Sequence, residues 1–291
     1  MRKHKNNLWA ALFVGPALFF TVVYLMYPTV HTIWLSFQDR YSENFIGLEN
    51  FKYVLTSKTM LTAFRNNVLW VFLFTFFTVG IGLIFAVIFD KISYERIVKT
   101  IVFMPIAVSF VGAGVIWKYV YAYKPPDVEQ IGLLNHLMII FGQEPQGWLV
   151  QGPLMNNIAL ITVGIWIWTG FCMVILSAAY RGIPHDLIEA AKVDGATELQ
   201  QFRHVILPVL KPTIAVVTVT MIVNVLKIFD IVYVMTNGHF GTEVIANRMY
   251  KEMFQFANFG RASAIAVVLF LLIIPVIIFN VLRMKKEEEA A

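Results

Sequence analysis

The sequence has almost none of the residue combinations that carry catalysis or metal binding. Its single cysteine, Cys172, lies inside a hydrophobic run, which excludes a disulfide framework or a cysteine metal site within the chain and leaves the thiol as a packing residue. The six histidines, His4, His31, His136, His185, His204 and His239, never fall at the spacing of a ligating pair. No His-Glu-x-x-His run occurs either, so no metal is expected. The phosphate-cradling pattern Gly-x-x-x-x-Gly-Lys-Ser/Thr is missing, and the stretch Gly112-Ala-Gly-Val-Ile-Trp-Lys118 is too apolar to replace it. Any nucleotide must therefore be handled by another polypeptide, and no cofactor is expected here. A membrane-embedded enzyme would need a nucleophile beside a base, or a metal cluster, and the sequence displays neither. A linker rich in Ser, Gly or Pro and a convincing internal repeat are also lacking, so residues 1–291 read as one membrane domain.

Charged residues make up only 14% of the chain, hydrophobic ones 58%, and mean hydropathy is +0.70. That is too apolar for a soluble domain of this size. A bilayer crossing takes about 20 apolar residues, and six stretches qualify, at about 8–30, 66–89, 100–121, 156–179, 212–235 and 262–282. The predicted fold is an all-α membrane protein with six transmembrane helices. The first run follows the basic Met1-Arg-Lys-His-Lys5 but is too long for a signal-peptide core and lacks a small-residue cleavage site, so it reads as an uncleaved anchor.

An even number of crossings puts both termini on one side. That side carries Arg2, Lys3, Lys5, Lys91, Arg96, Lys99, Arg181, Lys192, Arg203, Lys211, Arg283, Lys285 and Lys286 in short segments. The longer opposite loops carry the sparser set Arg40, Lys52, Lys58, Arg65, Lys124, Arg248, Lys251 and Arg261. The positive-inside rule places both termini in the cytoplasm. Orientation thus accounts for the net charge of +5, and nucleic acid is not needed as a partner. Within the spans, Pro16, Pro28, Pro105, Gly80, Gly82, Gly112 and Gly114 read as close packing rather than hinges.

One segment, about 180–211, breaks the apolar pattern on the cytoplasmic side. Ile183-Pro-His-Asp186 starts a helix, with Pro tolerated in the first turn and Asp at the positive end of the helix dipole. Leu187, Ile188, Ala190, Ala191 and Val193 make it small and compact, with Glu189 and Asp194 exposed. Gly195 can take the left-handed conformation that ends a helix. A second helix is expected over Ala196 to Val205, with Leu199, Phe202 and Val205 on one side, ended by Pro208 and Pro212. An amphipathic loop lying on lipid has the same broad composition. The acids and small side chains of the first helix suit a close-fitting basic protein groove better than anionic headgroups.

Glu189-Ala190-Ala191-x-x-Asp194-Gly195-Ala196, followed by Phe202 and Leu207-Pro208, resembles the EAA motif of permease subunits of bacterial ABC importers, in the form seen in binding-protein-dependent sugar permeases. Phe45-Ile-Gly47-Leu48-Glu-Asn50-Phe51, the stretch from Phe103-Met-Pro105 to Trp117, and Ile228-Phe229-Asp230 through Thr236-Asn-Gly238 resemble further parts of the same family. The likeness runs from about Phe37 to Ala264. One departure is Thr236-Asn-Gly238-His239-Phe240-Gly241-Thr242, where sugar permeases often continue Thr-x-Gly-Gly-Pro. Ala246-Asn247-Arg248-Met249-Tyr250 looks closer to the α-glucoside branch.

The resemblance implies a type I ABC importer permease fold in the bacterial cytoplasmic membrane, without enzymatic activity of its own. It also implies a second permease subunit in a heterodimer, a cytoplasmic ATPase dimer that binds ATP and Mg, and an extracytoplasmic solute-binding protein. In that scheme Glu189 pairs with a basic residue of the ATPase, Gly195 sets the elbow, and Phe202 with Leu207 anchors the helix pair. The implied cargo is a carbohydrate, an oligosaccharide or α-glucoside, with glycerol phosphate or another small solute as the alternative.

Charge inside a membrane is costly and marks function by default. Lys118 is near a span end, where it can snorkel. Lys227 and Asp230, three residues apart, either pair on one helical face or line the pathway. Trp166, Trp168 and Asn224 join them as pathway candidates, because sugars are held by aromatic faces and amide or carboxylate hydrogen bonds. A secondary transporter would need more ion-coupling acids or inverted repeats than these spans supply.

Overall fold

The computed structural model describes residues 13–125 and 127–289. Residues 8–12 of the first expected span, and with them Arg2, Lys3 and Lys5, lie outside the described residues. In hydrocarbon no water is available to the backbone, so each crossing must satisfy its own peptide groups, and the described chain is built of helices. They are α1 (Phe13–Leu35), α2 (Glu49–Thr56), α3 (Lys58–Phe89), α4 (Glu95–Phe103), α5 (Phe110–Val120) and α6 (Leu133–Ile140). There follow α7 (Pro153–Arg181), α8 (His185–Val193), α9 (Glu198–Leu226), α10 (Asp230–Met235), α11 (Ile245–Tyr250) and α12 (Phe259–Glu289). Five of these are long and apolar enough to cross a membrane, and α4 with α5 makes a sixth crossing when the bent pair is taken as one.

The chain divides into two compact units, Met1–Leu61 with Arg248–Leu271 and Thr62–Asn247 with Leu272–Ala291. In the first, Asn50 is buried and donates to the carbonyls of Ser36 (3.0 Å) and Gln38 (2.7 Å). Tyr53 donates to Glu252 Oε1 at 2.8 Å, and the Arg248 guanidinium donates to both the Tyr53 hydroxyl and Glu252. Arg261 stacks over the Tyr53 ring at 4.2 Å.

The second unit is built around α7, whose Leu160, Ile167, Cys172 and Leu176 pack with Trp70 and Met221 in a continuous buried cluster. Gly170 lets α7 and α4 touch through their backbones: a Cβ there would lie 2.4 Å from the Val102 carbonyl oxygen. Asparagines fix the loop after α10. Asn66 donates to the carbonyls of Gly241 and Glu243, Asn156 to that of Phe240, and Asn67 joins the Leu226 carbonyl to the Ile245 amide.

Three expected elements come out differently. The third crossing is not one helix, since α4 and α5 meet at a bend of 104°. Pro105 and the extended Val108 stop α4, and Ser109 starts α5 by accepting from the Gly112 amide at 3.0 Å. Pro105 is thus a break, not mere packing. The second helix of the polar segment is not ended by Pro208 or Pro212 but runs on to Leu226. A π-turn over Phe202–Ile206, closed by the Leu207 amide on the Phe202 carbonyl, comes just before Pro208. Widening that turn gives the proline ring room and absorbs the missing donor. The same device precedes Pro28, where a π-turn over Val22–Met26 closes from Tyr27 to Val22. The fifth crossing does not reach Met235 unbroken, because the helix stops at Leu226 and restarts at Asp230.

Candidate functional site

The helix pair α8 and α9 stands on a small hydrophobic base. Ile183, Ile206 and Leu210 are buried, and Phe202, Ile188, Tyr180 and Leu83 pack on them. No residue of α8 itself is buried. Asp186 in its first turn and Lys192 in its last complement the helix dipole. The helix ends as expected at Gly195, with φ of +78°; the Gly195 amide donates to the Lys192 carbonyl and the Ala196 amide to that of Ala191, each at 3.0 Å. Thr197 then caps α9 in a reciprocal box with Gln200. The result is a tight elbow that leaves Glu189, Ala190, Asp194 and Gly195 exposed, with Ala191, Ala196 and Phe202 half-buried.

Glu189 has no ion-pair partner among the described residues. Val193 is 87% exposed and Leu199 74%. Leu199 is thus not buried with Phe202, with which the helical spacing had placed it on one side. Of the expected anchors Phe202 sits in the base, Leu207 is half-buried and Pro208 is exposed. Of the buried members of the base, Ile206 and Leu210 were not singled out from the sequence, and Ile183 was named only in the helix start.

The elements on either side of α8 are tied to the turn after α3, by Arg181 at the end of α7 and Glu198 at the start of α9. Arg181 donates from Nε to Asp90 at 2.5 Å and from its terminal nitrogen to Glu95. Lys99 bridges the same two carboxylates at 3.2 and 3.1 Å and donates to Ser177 Oγ at 2.7 Å. On the far side of the elbow, Lys91 pairs with Glu198 at 2.9 Å. Between turn and helix pair lies a groove of about 1330 Å³.

Four of the five pathway candidates come together. Trp168, Asn224, Lys227 and Asp230 line a cavity of about 260 Å³ with Phe74, Phe110 and Phe229. Trp166 does not: it packs edge-on against Trp117 at 5.8 Å. Lys227 and Asp230 form no ion pair with each other, because the helix expected to align them is interrupted. Lys227 instead caps the C-terminus of α9 and Asp230 opens α10. Each charge therefore sits at the helix end of opposite sign, which offsets the cost of placing it in the membrane without pairing them. Asn224 donates to the Thr220 carbonyl at 2.9 Å.

The family model described as "Binding-protein-dependent transport system inner membrane component" matches residues 68–284. The osmoprotective compounds uptake permease protein GgtC of Synechocystis is 55% identical over 278 residues, 96% of this chain and 99% of that protein. The alpha-glucoside transport system permease protein AglF of Rhizobium meliloti is 45% identical over 283 residues, 97% of this chain and 84% of its own. Among solved structures, a chain of a bacterial ABC transporter involved in import of the acidic polysaccharide alginate superposes with a TM-score of 0.85 at 22% identity, covering 98% of each chain. At that identity the likeness speaks for the fold.

Proposed function

Because this chain belongs to the family of binding-protein-dependent transport system inner membrane components, we propose that it forms one half of the translocation pathway of an ATP-driven importer whose cargo is a small neutral carbohydrate of the α-glucoside kind. It is a multi-pass protein of the inner membrane and a transport subunit. In this reading a second permease chain supplies the other wall of the pathway, a cytoplasmic ATPase dimer binds ATP and Mg, and an extracytoplasmic solute-binding protein delivers the cargo. Both termini and α8 face the cytoplasm.

The observation that carries the coupling role is the setting of α8: a surface helix with no buried residue that offers an acid with no ion-pair partner among the described residues, Glu189, beside alanines and exposed apolar side chains. Small residues allow close approach and the acid fits a basic groove. Closing of the ATPase dimer would move this helix and the crossings behind it, as alternating access requires. For the cargo, the cavity carries one cation and one carboxylate among aromatic rings, a balance that suits a polyhydroxyl solute better than a phosphate. Its 260 Å³ is just below the usual range of about 300–1,000 Å³ for ligand pockets, consistent with one wall of a shared site. The name of the AglF relative supports the sugar class.

Glu189→Lys tests the coupling. Reversing a charge in a docked interface is expected to cost about 2–5 kcal/mol of docking, so the variant should insert normally yet lose uptake of labelled α-glucoside and substrate-stimulated ATP hydrolysis in the assembled complex. Normal uptake and stimulation would refute docking through Glu189. A cysteine at Thr197 should react with an impermeant reagent only from the cytoplasmic side; labelling of intact cells would reverse the orientation.

A further inference from the structure

Charged residues at the end of α3 and the start of α4 hold the chain just before the helix pair α8 and α9. Asp90, Glu95, Lys99 and Arg181 form a closed four-membered network in which each cation meets both carboxylates. Lys99, Asp90 and Glu95 are only 15–22% exposed, and Arg181, itself 52% exposed, reaches into this half-buried trio with two hydrogen bonds. By contrast Lys91 and Glu198 are 52% and 86% exposed, a setting in which an isolated ion pair contributes little. The network therefore dominates, and Arg181 is its link to α8, which begins four residues later.

From this network a packed route leads inward. Glu95 and Lys99 belong to α4, which lies along α7 with backbone-to-backbone contact at Gly170. The 104° break joins α4 to α5. Helix α5 packs against α10, where a Cβ on Gly114 would sit 3.1 Å from Val234. Phe110 of α5 and Asp230 and Ile231 of α10 both line the cavity. Close packing transmits displacement instead of absorbing it.

We propose that Arg181, Asp90, Glu95 and Lys99 are positioning residues that pass movement of the helix pair α8 and α9 to α4, and through its break to α5, α10 and the cavity wall. This rests on the reading of α8 as the ATPase-docking element. The helix pair has a second way inward, its own continuation as α9, so the network is assigned the motion of the α5 side of the cavity.

The test uses the full complex of this chain with its partner subunits in nanodiscs. One spin label at Thr162 on α7 is paired with a second at Thr197 on the elbow or at Val111 on α5, and distances are measured before and after trapping with ATP and vanadate. In the native chain both distances should change. In Arg181→Gln the Thr197 change should persist while the Val111 change falls roughly threefold or more, within the range for mutations along a coupling route. Glu95→Gln should act in the same direction, and Arg181→Lys should restore most of the response. An undiminished Val111 change in both Arg181→Gln and Glu95→Gln would overturn the proposal. Equal loss of the Thr197 and Val111 changes would overturn it too, since the network would then merely hold the fold. If the Thr197 distance does not respond in the native complex, docking itself fails, an outcome separate from either.

Discussion

Replacing Gly170 by alanine adds a single methyl group, and the structure gives nowhere to put it. The new Cβ would lie 2.4 Å from the Val102 carbonyl oxygen, 2.6 Å from Phe103 Cα and 2.9 Å from the Val102 carbonyl carbon. All three are backbone atoms, so no rotamer change relieves the clash. Restoring contact near the ordinary 3.5–4.0 Å separation requires α4 to retreat by roughly 1 Å. Inserting one methylene into a packed core costs about 1–3 kcal/mol, occasionally more, and the upper end is expected because a whole helix must move. Gly80→Ala is the control: it lies in the apolar helix α3 with no atom within 4 Å of the added carbon, and should gain up to about 1 kcal/mol from the better helix former. The assay is thermal unfolding of the purified chain in detergent, with both variants beside the native protein. A Gly170→Ala protein that melts with the native one would refute the backbone contact between α4 and α7.

Tyr53 offers a pH prediction. Burial, then the hydrogen bond to Glu252, raises its hydroxyl above the ordinary value of 10.0. A group raised on folding contributes stability in full below its unfolded value and loses it as pH climbs through the folded one. The stability difference between the native chain and Tyr53→Phe should therefore be flat through neutral pH and decline only above about pH 10; a decline between pH 6 and 8 in unfolding scans would contradict it. Asn67→Leu should strand the Leu226 carbonyl and the Ile245 amide, each unsatisfied group costing about 1–3 kcal/mol. The matching signs are a lower melting temperature and faster proteolysis of the loop between α10 and α11, and unchanged proteolysis would count against Asn67 as its tether.

The apolar crossings were readable because hydrocarbon demands about 20 such residues whatever their neighbours. The elbow was readable because Gly195 is at a position with positive φ. The cavity was partly readable, since charge at Lys227 and Asp230 is too costly to be incidental. Trp166 lies outside this cavity for a geometric reason: two residues from Trp168 is about 200° around a helix, so both tryptophans cannot face one cavity. The break at 227–229 carries neither Pro nor Gly and gives no local sign of itself. The π-turns before Pro28 and Pro208 were invisible because Pro28 read as packing and Pro208 as a stop, when a widened turn upstream accommodates each. The network around Arg181 joins residues 86 and 91 positions apart, a separation that spacing arguments do not reach.

Helix α8 buries none of its nine residues and rests on the base only through the half-buried Ile188, so little in the lone chain favours its helical state beyond local propensity and its end caps. Isolated helices that short are marginal in water. Its peptide hydrogens should consequently exchange with solvent far faster than those of α7, whose core residues are fully enclosed. Slowed exchange confined to residues 185–193 would then act as a gauge of occupancy, reporting how much of the protein in a membrane has a partner seated on it without any label or substrate.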